Sequence, residues 1–173
     1  MSGGWGSGKT FGCCLKGIAL STEYRRNRGV VARHVGRDLR DTTMATWYKV
    51  CPPRLYNPKR GGRRNDQNGY LKFADSESEV LFVHLDDPEA AGFIRGLEIN
   101  WFLIDQGEEN PDHMEELFDM LCGRLGRWDV AEVPQRLIEE EVRDHGAWPY
   151  LHPETAKPVP PPYAMVCCNP DVE

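Results

Sequence analysis

The chain has 173 residues, with 21 Lys plus Arg against 27 Asp plus Glu and a formal net charge of −6, a length that suits about one domain with its own core and a balance that argues against a simple cationic nucleic-acid binder. The average hides a division, because residues 24–64 hold twelve basic and two acidic side chains (Asp38 and Asp41), whereas residues 65–173 hold seven basic and twenty-four acidic ones. No apolar run approaches the ~18–20 residues of a membrane span and no charged-then-apolar leader opens the chain, so the sequence reads as one soluble globular unit.

In chain order, Gly3-Gly-Trp-Gly-Ser-Gly-Lys-Thr10 runs into Phe11 to Tyr24, a proline-free apolar mixture that predicts a helix. Gly29 to Val35 is a β-branched run of strand length. Asp38 to Val50 then has helical spacing at Leu39, Met44 and Trp47 until Pro52-Pro53 stops it. Residues 52–69, with Lys59, Arg60, Arg63 and Arg64 among Pro, Gly and Asn, predict an exposed, mobile polar loop. Tyr70 to Asp75 and Glu79 to His84 read as an antiparallel hairpin. Glu98 to Asp105 is a nearly continuous apolar run ending in an acid, which suits a buried parallel strand delivering a carboxylate at its C-terminal end.

Pro111 to Leu125 repeats Met114, Leu117, Phe118, Leu121 and Leu125 at helical spacing, and Val133 to His145 reads as a second amphipathic helix with Glu139, Glu140 and Glu141 on a solvated face. Six prolines between positions 149 and 162 predict an extended connector into a last buried strand, Tyr163 to Cys168, followed by Asn169 and Pro170. The six cysteines (13, 14, 51, 122, 167, 168) form no Cys-x-x-Cys pair and read as reduced, buried small hydrophobes; the five histidines show no metal-binding spacing, so no zinc site is expected.

The pattern Gly3-x-x-x-x-Gly8-Lys9-Thr10 is that of a phosphate-binding loop. Glycines let backbone N–H groups turn inward around a phosphate, the following helix points its positive end at the same place, a lysine reaches the β- and γ-phosphates, and a threonine hydroxyl ligates Mg²⁺. The chain's own residue frequencies predict about 0.004 chance matches, so coincidence is a weak competitor. A strand normally precedes such a loop, and here only Met1 and Ser2 do. Asp105, closing Trp101 to Ile104, supplies the complementary feature, an acid on a buried strand that fixes Mg²⁺. The two motifs together predict a P-loop nucleoside triphosphatase of α/β class, a mostly parallel sheet with helices on both faces and one hairpin insertion, binding ATP and Mg²⁺.

These residues resemble the large terminase subunits of tailed phages, the ATP-driven motors that package viral DNA. The resemblance rests on residues 3–10, on Ile94-Arg-Gly-Leu-Glu-Ile-Asn-Trp-Phe-Leu-Ile-Asp-Gln-Gly-Glu-Glu109, on Arg124 to Trp128 and on Cys167-Cys-Asn-Pro170. It implies that Gly3, Gly4, Trp5, Gly6, Ser7, Gly8 and Lys9 cradle the phosphates and that Thr10 and Asp105 hold Mg²⁺. Asn169 would sense the γ-phosphate and couple hydrolysis to movement, and Arg95 would serve as an arginine finger on a neighbouring subunit. The family usually places Glu directly after the strand's Asp, whereas this chain has Gln106, which can orient water but cannot take its proton. Gln106 is therefore expected to position the water and Glu108 to supply the carboxylate. Implied partners are double-stranded DNA, a portal protein, a small terminase subunit and further copies in a ring, in the cytoplasm of an infected bacterial host.

The family's upstream adenine-contacting segment and strand, and its downstream nuclease domain, have no counterpart here, so residues 1–173 read as a partial ATPase domain with weak or no turnover alone. The basic stretch 24–64, with Trp47, Tyr48 and Tyr56, has a composition compatible with phosphate contact and base stacking or with a solvated loop. A helicase-like or DNA-repair ATPase, or a nucleotide-binding assembly protein that does not hydrolyse, shares most of these features.

Overall fold

A computed structural model describes residues 8–84, 86, 90–109 and 111–168. The chain runs α1 (Lys9–Glu23), β1 (Arg28–Arg33), α2 (Gly36–Asp38), a π-helical turn (Leu39–Met44) and α3 (Ala45–Val50), then two 3₁₀ turns, Pro53–Tyr56 and Pro58–Arg60. It continues as β2 (Arg63–Asn65), β3 (Tyr70–Lys72), β4 (Glu79–His84), α4 (Ala90–Arg95), β5 (Trp101–Asp105), α5 (Pro111–Cys122), α6 (Gln135–His145) and β6 (Tyr163–Cys167). Among the described residues, six strands form one sheet in the order β2-β3-β4-β1-β5-β6. β4, β1, β5 and β6 are parallel, and β3 and β2 add an antiparallel edge.

Alternation along the two central strands divides the core. Val31, Trp101 and Leu103 point to one face and pack with Cys13, Cys14 and Ile18 of α1 and with Trp47 of α3. Val30, Ala32, Phe102 and Ile104 point to the other, against Ile94 and against Met114, Leu117 and Leu121 of α5. Both faces are covered, which is why these strands read as continuous apolar runs. On the first face Trp47 and Trp101 stack, their ring centroids 6.1 Å apart and their planes within 6°. A Cβ on Gly29 would sit 1.9 Å from the Trp101 ring and one on Gly17 2.9 Å from it, so glycine lets both a strand and a helix close onto the indole.

Four expectations need correction. The helix from Asp38 to Val50 is interrupted by the π turn at Leu39–Met44. Residues 52–69 are not a plain loop: two 3₁₀ turns and β2 lie within them, and β2 pairs with β3 at Arg63–Lys72, Arg64–Leu71 and Asn65–Tyr70. The expected hairpin is β3 with β4, and β2 adds one further antiparallel strand beyond it. The proline-rich segment folds back on the body: Val159 is buried, Trp148 donates its indole N–H to the Val159 carbonyl, and buried His152 accepts at Nδ1 from the amides of Glu154 and Thr155. Among the described residues the last strand lies at the edge of the sheet and is only partly buried, with Tyr163 exposed.

The remaining elements follow the sequence reading closely. α6 presents Glu139 and Glu140 to solvent, with Glu141 half-buried and Leu137 packed on the core. All six cysteines are thiols, four of them buried. Among the described residues no helix is long and apolar enough to cross a membrane.

Gly29→Ala is expected to lower stability by about 3 kcal/mol, because the methyl would displace the buried indole from a close-packed face. Urea denaturation checks this. A variant as stable as the parent would show that the Trp101 stack tolerates displacement.

Candidate functional site

The C-terminal ends of the parallel strands lie along one edge of the sheet, bringing Arg33, His84, Asp105 and Cys167 into a row. Arg33 pairs in register with His84, and Asp105 with Cys167. α1 starts at this same edge. Its N-cap, Gly8, has φ 76°, a left-handed conformation glycine adopts at no steric cost, and Lys9 and Thr10 form the first helical residues. Gly3, Gly4, Trp5, Gly6 and Ser7 lie outside the described residues, as does Asn169.

Asp105 is the hub of the edge. The residue is 2% exposed. Thr10 donates its hydroxyl to Oδ1 at 2.8 Å, a contact between residues 95 apart in sequence. Thr43, fully buried on the π turn, donates to Oδ2 at 2.6 Å. The Arg33 guanidinium lies 3.9 Å from the same Oδ2. The Thr10 hydroxyl beside an ionisable carboxylate is a hard-oxygen donor pair of the kind Mg²⁺ takes, so the residues present fit that ion.

Beyond Asp105 the chain turns sharply. Gln106 adopts φ 58°, Glu109 N–H donates to the Gln106 carbonyl at 3.0 Å, and Gly107 N–H donates to the Cys167 carbonyl at 3.0 Å. The turn carries Gln106, Glu108 and Glu109 over the strand ends. Glu109 does not stand open to solvent: Arg33 grips it with Nη2 to Oε1 at 2.5 Å and Nε to Oε2 at 3.3 Å. Arg33 also donates to the Thr42 hydroxyl and lies 3.8 Å from Asp38. Burial opposes the charge on Arg33, but the hydrogen bonds to Glu109 and the nearby carboxylates of Asp105 and Asp38 outweigh it and raise the guanidinium above its ordinary value.

Under this edge α1 meets β6 through sulfur. Cys167 donates its S–H to Cys13 across 3.1 Å, which holds the Cys13 thiol down to about 7 and pushes Cys167 up. Burial, with Asp105 nearby, pushes Cys14 up to about 12.

Of the residues picked out in sequence, Gly8, Lys9, Thr10, Asp105, Gln106 and Glu108 gather at this edge. Arg95 does not. It is exposed at the end of α4, which feeds the N-terminal end of β5, so it sits at the opposite end of the strand from Asp105. Arg33 and Thr43 escaped the sequence reading. Arg33 had a usable signal, since a charged residue ends the apolar run of β1 just as Asp105 ends that of β5; Thr43 had none, because its position depends on the π turn.

The basic stretch 24–64 is largely engaged within the protein. Arg60 pairs with Asp75 at 2.8 Å, and Arg64 pairs with Asp66 at 2.6 Å while stacking over Tyr48. Arg28 pairs with Glu79, and Arg25 and Arg26 reach Glu132. Arg54, Lys59 and Arg63 are exposed.

The fold is similar to that of the large terminase from a thermophilic bacteriophage, with a TM-score of 0.53 and 17% identity over 71% of this chain and 29% of that one. This chain has a terminase-like fold. It spans less than a third of that terminase's length. No family model matches the chain, and neither does any curated protein sequence.

Thr43→Val keeps the shape of the side chain but removes one of the donors to Asp105, so it is expected to cost about 1–3 kcal/mol, with Thr43→Ser costing less than half as much. Urea denaturation at neutral pH measures both. Equal stability of the valine and serine variants would detach Thr43 from the support of the carboxylate.

Proposed function

We propose that this chain is the ATPase module of a DNA-packaging motor of the large-terminase kind. The observation that carries the reading is the Thr10–Asp105 hydrogen bond, which joins the start of the helix after a glycine-rich loop to the acid at the end of a central parallel strand. The terminase-like fold supports it.

In this reading the amides at the start of α1, with Gly3, Gly4, Trp5, Gly6, Ser7, Gly8 and Lys9, bind the ATP phosphates. Thr10 and Asp105 hold Mg²⁺, which when bound supplies charge neutralisation at the phosphoryl oxygens. Gln106 orients the attacking water and Glu108 provides the carboxylate that takes its proton. Arg95, exposed and remote from its own Asp105, serves a neighbouring copy in a ring. Asn169, just beyond β6, reads the γ-phosphate. The partners are double-stranded DNA, a portal protein and a small terminase subunit, in the cytoplasm of an infected bacterium.

One observation favours a second reading. An amide, Gln106, directly follows Asp105, and its left-handed backbone places it at the tip of the strand, so a nucleotide-binding assembly protein that does not hydrolyse uses the same edge.

Titration with a fluorescent ATP analogue tests both. Binding is expected to require Mg²⁺ and to weaken at least about tenfold in Lys9→Ala and in Asp105→Asn, the loss of one charge-assisted contact each. Absence of Mg²⁺-dependent binding in the parent chain would refute the nucleotide site. Binding without phosphate release, unchanged by Glu108→Ala, would favour the non-hydrolysing reading.

A further inference from the structure

The turn that follows Asp105 is pinned at three points. Asp105 fixes its start through Thr10 and Thr43, Gly107 hangs from the Cys167 carbonyl, and Glu109 is gripped by Arg33. The third pin is an ion pair, and it comes from a residue at the end of a stiff central strand whose side chain is 9% exposed. The same guanidinium faces Asp105 and Asp38. Its loss would leave three acids sharing one corner of the molecule without the cation that bridges them, and like charges at that range repel strongly where water is scarce.

We propose that Arg33 is a positioning residue for the turn that presents Gln106 and Glu108. By holding Glu109 in a two-point grip it fixes the far end of the turn, and Gln106 and Glu108, on either side of the anchored Gly107, take their places as a consequence. Arg33 itself touches no reacting atom. It acts through Glu109, and its planar fork suits this task because it fixes direction as well as distance. The proposal rests on the ATPase reading for its catalytic meaning, while the grip on the turn is a property of the fold and is testable without nucleotide.

Amide hydrogen exchange, resolved to single residues, reads the grip directly. Arg33→Met is expected to speed exchange at the Gly107 and Glu109 amides at least about tenfold while the Leu103 amide in β5 changes less than threefold. Arg33→Lys should recover only part of the protection, since a point charge replaces a fork, and Glu109→Gln should reproduce the Arg33→Met pattern. A uniform rise in exchange across the sheet, or no change at the turn, overturns the proposal. Where Arg33→Met does not fold, Arg33→Lys and Glu109→Gln carry the same comparison.

The catalytic arm uses steady-state phosphate release, measured at chain concentrations high enough to read the weak turnover expected of residues 1–173. Arg33→Met is expected to reduce kcat about thirtyfold or more with KM for ATP within threefold, because a turn misplaced by an ångström costs positioning and not binding. The Arg33→Met/Glu109→Gln double variant should be no slower than the worse single variant. Additive losses, or a rise in KM at constant kcat, overturn the assignment. A parent chain that neither binds nor hydrolyses ATP but shows the local exchange pattern rejects the ATPase reading and leaves the grip standing; the reverse outcome rejects the grip alone.

Discussion

A carboxylate buried at the end of a central strand costs several kcal/mol unless hydrogen bonds and opposite charge compensate it. Asp105 is such a group, and the elements around it are arranged to meet that demand. Thr10 comes from the first turn of α1, Thr43 from the π turn and Arg33 from the end of β1. No two of these belong to one element, so satisfying a single side chain ties the first helix, a central strand and the irregular helix that follows it to one point. Helix starts and strand ends meet at this edge of any parallel α/β sheet, and the polar residues here are the ones that such an edge can bring together.

The charge division along the sequence is partly offset in three dimensions. Basic residues of the first third pair with acids from the remainder: Arg25 and Arg26 with Glu132, Arg28 with Glu79, Arg33 with Glu109, Arg60 with Asp75, and Arg64 with Asp66. Several of these pairs are exposed, and each such pair adds little to stability. Together they neutralise much of the basic block locally. What remains for a polyanion is a smaller set, the exposed Arg40, Lys49, Arg54, Lys59 and Arg63.

The parts of the fold that follow from local periodicity were legible. β1 and β5 read as strands because both faces are covered and their runs are apolar, α1 as a helix because its apolar mixture holds no proline, α5 because its apolar residues recur at three and four, and the hairpin because its two runs flank a polar turn. The Thr10–Asp105 meeting was legible too, since two motifs of known geometry predicted it. Other features depend on what packs against what. β2 is short and its side chains are polar or charged, so only its pairing with β3 reveals it as a strand. The proline-rich segment lacks periodicity, yet Val159 and His152 are buried because the body offers them a surface. Arg33 carries no mark in sequence, beyond its place at the end of an apolar run, that separates it from the eleven other basic residues of its block.

The π turn at Leu39–Met44 has a consequence for helical phase. A π turn holds one more residue than an α turn of the same span, and each residue in an α-helix advances the face by about 100°. On its near side the helix must follow β1 directly and keep Leu39 in the core; on its far side Trp47 must lie flat against Trp101. The wide turn reconciles those two faces while aiming Thr43 at Asp105. Shortening the segment by one residue would restore regular winding and rotate one half against the other by roughly a quarter of a revolution, so either the hydroxyl or the indole would lose its place. The length of this stretch is therefore as much a part of the site as the side chains it carries.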